Sequence, residues 1–239
     1  YVVNTDTVLE ISPGTEVING SSSPHGGEIK TYPYYGNGPG KIKIDGATIG
    51  IPVWFWNPGH SISATSIITG GSLTLRSDHE ISGNSFINAP IILDPYDQPS
   101  GTYIINNNDF EKANISTYTN RNIPIDFTFE NNFGDIEIEI EYQNKATIKN
   151  NLFLSPSRIY VTGSEPVTIQ ENHFIQSGPN LLDTPLIRID SDANTLIEGN
   201  ILEFIGESGI AYGIAIGDAG QTVPHVTIRD NVSSGFTEV

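Results

Sequence analysis

The sequence predicts an all-β chain wound as a solenoid of stacked strands, and three observations carry that prediction. Composition is the first: the 239 residues include 35 Ile and 22 Asn but only 11 Leu and 9 Ala, with 24 Gly and 15 Pro. β-Branched residues and turn formers in that proportion suit strands joined by tight turns, not helices. The second is a repeat of an apolar residue, two polar residues, Asn, any residue, then an apolar residue. It reads Ile81-Ser-Gly-Asn84-Ser-Phe86, Ile105-Asn-Asn-Asn108-Asp-Phe110, the shortened Phe129-Glu-Asn-Asn132-Phe133, and Ile148-Lys-Asn-Asn151-Leu-Phe153. It continues as Ile169-Gln-Glu-Asn172-His-Phe174, Ile197-Glu-Gly-Asn200-Ile-Leu202 and Ile228-Arg-Asp-Asn231-Val-Ser233, with Asn-to-Asn intervals of 24, 24, 19, 21, 28 and 31 residues. A period near one supersecondary unit is the signature of a repeat architecture. The third is alternation: Ile125/Phe127/Phe129, Val167/Ile169 and Val226/Ile228 recur with period two upstream of the Asn, as in a strand with one buried face.

Each part of the repeat has a physical role. The strand before the Asn buries its apolar face, the Asn stands where the chain turns, because its short amide tolerates unusual backbone angles, and the chain is then extended again. Ile136, Ile138, Ile140 and Tyr142 alternating with acids exemplify that second strand. If each repeat is one coil, Asn84, Asn108, Asn132, Asn151, Asn172, Asn200 and Asn231 stack about 4.8 Å apart as a ladder of side-chain amides.

This series resembles the right-handed parallel β-helix proteins of the pectin-lyase-like superfamily, in which an Asn ladder lines one turn of the solenoid. The opening Asp6-Thr-Val-Leu-Glu-Ile-Ser-Pro-Gly-Thr-Glu-Val17 looks like the first coil of many secreted β-helices. The resemblance implies the fold, and it leaves the function open, because this fold hosts lyases, hydrolases, epimerases, tailspikes, adhesins and ice binders. Gly213-Ile-Ala-Ile-Gly-Asp218 faintly resembles the polygalacturonase region that carries paired aspartates, but no Asp-Asp pair, Gly-His-Gly or Arg-Ile-Lys is present, and Arg188-Ile-Asp190 stands instead.

The organisation expected is a single β-helix domain over 1–239, with 20–60, rich in Gly, Pro and aromatics, as an irregular cap or side loop. The chain opens at Tyr1 without a signal pattern and stops eight residues after Asn231 without a capping sequence, so the expectation is part of a longer polypeptide or an open end used in self-assembly.

Charge removes several partners. Eleven Lys and Arg against 28 Asp and Glu give a net charge of −17, which argues against nucleic acid and anionic membrane surfaces, both bound through Lys and Arg. No apolar run approaches the roughly 20 residues that a membrane-spanning helix needs. With no Cys there is no disulfide framework and no thiolate site. Three Asn-x-Ser sequons, at Asn19, Asn114 and Asn231, are compatible with secretion.

The candidate sites each have a plainer reading beside them. Trp54 and Trp56 share one strand face, with Phe55 on the other and Tyr32, Tyr34 and Tyr35 near in sequence. Exposed, the pair with Tyr34 would stack sugar rings; buried, it would cap the hydrophobic column. Asp135, Glu137, Glu139 and Glu141 place carboxylates about 6.8 Å apart on one strand face, where acids of adjacent coils would offer oxygens to calcium. As a solvated face they would only discourage lateral pairing. Asp190-Ser-Asp192-Ala-Asn194 begins like a calcium loop but lacks its Gly and closing Glu. A hydrolase would need convergent carboxyls, for which Asp183, Asp190, Asp192 and Asp218 are the candidates. The five His are dispersed without metal-ligand spacing.

The expectation is therefore a secreted or cell-surface binding or structural module, an adhesin segment or assembly subunit that contacts carbohydrate or a protein surface, with no required cofactor. A polysaccharide lyase or hydrolase of the same fold is the alternative. Ice binding is third, resting on Thr147, Thr168 and Thr227, each four residues before a ladder Asn, while Ile104, Thr128 and Leu196 hold the equivalent positions elsewhere.

Overall fold

A computed structural model describes residues 2–3, 8–18, 27–31, 40–56, 59–95, 100–117, 123–141, 144–163, 165–177, 185–190, 194–205, 213–217 and 225–235. Among them every strand pairing is parallel, which places successive turns of the chain one above another. Among the described residues most coils carry three strands, and the solenoid has three faces.

The first face holds the strands that precede the Asn: Val8–Ile11, Lys41–Asp45 and Ser61–Ser63, then His79–Ser82, Gly101–Asn106, Ile125–Glu130, Asn144–Lys149, Val167–Gln170, Thr195–Glu198 and Val226–Arg229. The second face follows the Asn, for example Ser85–Ile87, Leu152–Leu154 and Ile201–Ile205. The third face completes the coil, with Pro52–Phe55, Ser72–Leu75, Pro90–Leu93, Arg158–Val161 and Ile187–Ile189. Two long strands, Asp109–Ser116 and Phe133–Ile140, run round the corner and join the second and third faces into one sheet. A register shift between Phe110 and Ala113 makes that corner.

Alternation sorts the side chains. On the first face Ile81, Ile105, Phe129, Ile148, Ile169 and Ile197 lie in register and buried. Phe86, Phe110, Phe153 and Phe174 form the inward column of the second face, with Phe86–Phe110 centroids 5.2 Å apart and Phe153–Phe174 4.5 Å apart. That column skips one coil. Its position between Phe110 and Phe153 belongs to Gly134, not to Phe133, which points outward and is 46% exposed. The shortened motif therefore reads one residue out of step: Phe133 is not the buried member. Phe129 enlarges the facing column and fills the gap, 5.6 Å from Phe110 and 6.1 Å from Phe153. A Cβ on Gly134, whose φ is +129°, would stand 2.0 Å from the Phe110 carbonyl oxygen.

The turn between the first two faces is built identically in successive coils. From Asn84 to Asn200, each Asn donates its backbone N–H to the Oδ1 of the next Asn, at 2.8–3.0 Å, and its Nδ2 to the same oxygen at 2.9–3.4 Å. Nδ2 also reaches a carbonyl of the preceding coil, as from Asn151 to Phe129 and from Asn172 to Ile148. The unusual backbone angle does not fall on these Asn residues. It falls on the residue before each: Gly83, Asn107, Asn131, Asn150, Glu171, Gly199 and Asp230 have φ between +53° and +69°. The ladder Asn is free of that strain, so its amide is what the position selects, and the preceding residue supplies the left-handed turn.

Residues 41–55 are not an irregular cap. Lys41–Asp45, Thr48–Gly50 and Pro52–Phe55 make a complete coil, with Ile42, Ile44, Ile49, Val53 and Phe55 buried. The Asn-marked pattern passes over it because Ala47 holds the turn position here, as Thr65 does in the following coil. Most of the aromatic-rich stretch before it, 32–39 with Tyr34, lies outside the described residues.

Candidate functional site

The third face is bordered differently from the rest of the solenoid. The Asn turn is two residues long in coil after coil, as between Ser82 and Ser85 or Lys149 and Leu152, whereas the third-face strands are entered and left through connections of uneven length. From Leu93 the chain reaches Gly101 and from Ile205 it reaches Ile214, while Leu75 is separated from His79 by only three residues. A rigid sheet rimmed by variable loops is where binding residues concentrate in folds of this kind.

Its outward side chains are set by the same alternation that buries the core. Val53 and Phe55 are buried, so Trp54 and Trp56 project outward, half-buried. Their indoles have centroids 6.4 Å apart and planes 21° apart. The rings therefore do not cap the hydrophobic column; Phe55 occupies it instead. In the next coil Arg76 follows Leu75, and its guanidinium lies 3.9 Å from the Trp56 ring centroid and 4.9 Å from that of Trp54. One coil further Asp94 pairs with Arg76 at 3.1 Å. Arg76 and Asp94 were the residues sequence reasoning missed. Each stands one residue past a buried strand position, as Trp56 does, but only the coil register shows that the three share a column.

At the other end of this face lies a groove of about 300 Å3, lined by Glu137, Glu139, Arg158, Ile159, Tyr160, Pro185 and Arg188. Register places Glu137 beside Arg158 and Glu139 beside Tyr160, and Tyr160 beside Arg188 in the following coil. Arg158 is ion-paired to Glu137. Asp190 accepts hydrogen bonds at one oxygen, Oδ2, from the Tyr160 hydroxyl at 3.1 Å and from Arg188 Nε at 2.5 Å. Its side chain is 8% exposed, and Oδ1 is buried with no hydrogen-bond partner. Glu141 Oε2 is also buried without one. Burial pushes the Glu141 carboxyl above the usual range, and the neighbouring Glu139 adds to the shift.

The acidic stripe projects outward, with Ile136, Ile138 and Ile140 buried between its members. Burial raises the pKa of Asp135, opposed by Lys112 and reinforced by Glu111. The register does not set carboxylates of adjacent coils against Glu137 and Glu139. Glu137 is flanked by Asn114 and Arg158, and Glu139 by Ser116 and Tyr160. Among the described residues no three His, Cys, Asp or Glu side chains are grouped to hold a metal ion. Of the acids considered for hydrolysis, Asp190 is placed as above, while Asp183, Asp192 and Asp218 lie outside the described residues.

Two further features belong to other faces. Thr128, Thr147 and Thr168 are in direct register on the outside of the first face, followed by Leu196 and Thr227. The neighbouring column carries Lys149, Gln170, Glu198 and Arg229, with Glu198 bonded to Gln170 and Arg229 at 2.7 Å each, so the Thr file is a single column beside charge. His60 and His79, far apart in the motif spacing, stack in the core with Phe55: the imidazole planes are 4° apart and the centroids 5.9 Å apart. His60 Nδ1 accepts the Ile42 N–H at 2.9 Å. Burial drops the His60 pKa to about 4, with His79 and Lys41 pushing the same way.

The all-parallel, three-faced stack has its counterpart among known families. No curated protein and no solved structure matches the chain significantly. The family described as "Right handed beta helix region" matches residues 76–238. With more than half of its length matched, and every described strand pairing parallel, the chain belongs to the right-handed β-helix family.

Proposed function

We propose that the chain is a secreted or cell-surface β-helix module that binds glycan along its third face. One observation carries the reading: Trp54 and Trp56 lie outside the core as a near-parallel indole pair, with Arg76 over both rings and Asp94 fixing Arg76. An indole pair of this kind offers apolar ring faces to the C–H face of a sugar, and the Arg–Asp pair offers directional partners to its hydroxyls. From Trp54 to Tyr160 is five coil steps, about 24 Å along the axis, so an extended oligosaccharide would run from the indoles toward the groove.

The test uses the two tryptophans as their own reporters, since the chain has no others. Titration with a panel of acidic, neutral and amino-sugar oligosaccharides should change tryptophan emission for at least one of them. Trp54→Ala should weaken that binding about tenfold, or about 1.4 kcal/mol. An unchanged affinity in the variant, or no binding across the panel, would remove this reading.

A hydrolytic reading is the second, favoured by the raised pKa of Glu141 and its unpartnered buried oxygen, as a general acid requires. Its signature would be new reducing ends. A lyase is less favoured, because both Arg side chains of the groove are already engaged with acids.

A further inference from the structure

The outward side of the second face changes character along the solenoid. One file runs Ser66, Ser85, Asp109, Phe133, Leu152, His173, Ile201 and Val232, each in register with the next. That file is polar as far as Asp109. From Phe133 onward it is apolar, broken only by His173, whose Nε2 lies 3.2 Å from Glu203 Oε2. Leu154 and Ile175, also in register, and Ile205 widen the patch. Phe133, Ile201, Ile205 and Val232 are 40–62% exposed.

A strand wet on one face alternates apolar with polar, whereas a parallel strand buried on both faces reads as a continuous apolar run. Leu152-Phe153-Leu154 and Phe174-Ile175 read in the second way, although of these only Phe153 and Phe174 point into the core. A sheet patterned like this packs face to face on another sheet, about 10 Å away. Five strands about 4.8 Å apart, up to five residues long, give a footprint of about 24 by 17 Å, over which protruding side chains expose on the order of 600 Å2. Two such patches would bury about 1,200 Å2 together, which reaches the range of stable interfaces. A second copy suits the patch because its files repeat at the same spacing, so the side chains of one sheet fall between those of the other. The acids Asp109 and Glu111 border the patch at one end only, so antiparallel copies keep these like charges apart.

We infer that two copies of this chain pair through the second face, the Phe133 end of one against the Val232 end of the other, about a twofold axis near His173. The third face stays open in this pair, so pairing and glycan binding are independent.

Light scattering after gel filtration, with sedimentation equilibrium, tests the pairing. Between about 1 and 100 µM the mass should rise from 25.9 kDa toward twice that value and stop there. Added salt should favour the pair, since it screens repulsion between chains of net charge −17 and leaves apolar contact intact. Ile201→Glu, which sets a carboxylate in the patch of each copy, should weaken pairing at least thirtyfold. Phe133→Thr and Ile205→Thr, which keep strand-forming residues, should each weaken it about tenfold. Thr128→Glu, on the outside of the first face, should leave it unchanged, which separates the patch from repulsion by overall charge. Circular dichroism and tryptophan emission identical to those of the parent chain would show each variant folded. A chain that stays at 25.9 kDa at about 100 µM would overturn the inference. So would association that grows beyond two copies, weakens with salt, survives Ile201→Glu, or is lost equally in Thr128→Glu.

Discussion

The coils from Asn84 onward and the coils before it are held together by different means. In the former, an amide at the same turn position of every coil bonds the coil on either side. In the latter, Ala47 and Thr65 take that position, Thr65 contributing only its backbone N–H to Asn84 Oδ1 at 3.2 Å and turning its own hydroxyl back to Ser63. What compensates is aromatic: Phe55 and His60 stack on each other and on His79, which opens the Asn84 coil, with centroids 4.8–5.9 Å apart. A stacked solenoid thus requires that each coil satisfy its turn and fill its column, and two chemistries meet that requirement in one chain.

The largest effect is expected inside the Asn-bearing part. Gly134→Ala would set a Cβ against the Phe110 carbonyl at a backbone angle other residues avoid, and should cost about 4 kcal/mol or prevent folding, read as the denaturation midpoint. Asn151→Ala comes next. It removes the acceptor for Asn132 and leaves the Phe129 and Lys149 carbonyls without their donor, so a loss of about 3 kcal/mol is expected in the same assay.

The early coils should instead be sensitive to acid. His60 is held neutral down to about pH 4, whereas in the unfolded chain it takes up a proton near 6.5. Its contribution is therefore full above about 6.5 and is lost as pH falls toward 4, with about 2 kcal/mol gone between pH 7.5 and pH 5. His60→Phe should flatten that dependence, and the emission of Trp54 and Trp56, which sit in these coils, would show it. If acid weakened the Asn-bearing coils first, the contrast between the two parts would fail. The smallest effect is at the junction: Thr65→Ala keeps the N–H that Asn84 needs and should cost only about 1 kcal/mol by hydrogen exchange.

Much of this architecture is written in short-range pattern. The Ile and Asn excess resolves into buried columns and turn positions, because strand alternation and a repeated turn are both local properties. Where the pattern gave no signal, the missing information was register. Phe133 and Gly134 exchange roles because the register sets Phe133 beside Asp109 and Leu152 and Gly134 beside Phe110 and Phe153, ahead of the bulge at the corner. Ala47 lacks the marker residue, so its coil was invisible to a pattern built on Asn. His60 and His79 are 19 residues apart, and only the length of one coil brings them together. The same holds for the third face: Trp54 and Trp56 are legible as a pair, but Arg76, Asp94, Tyr160 and Arg188 acquire meaning only through the neighbours that stacking gives them.

The ladder also gives the solenoid an electrical direction. Every Oδ1 from Asn108 to Asn231 is turned toward the preceding coil, and every backbone N–H at that position from Asn84 to Asn200 toward the following one. The amide dipoles are therefore parallel and mutually polarising. A coil joining at one end must offer an acceptor, and a coil joining at the other must offer a donor.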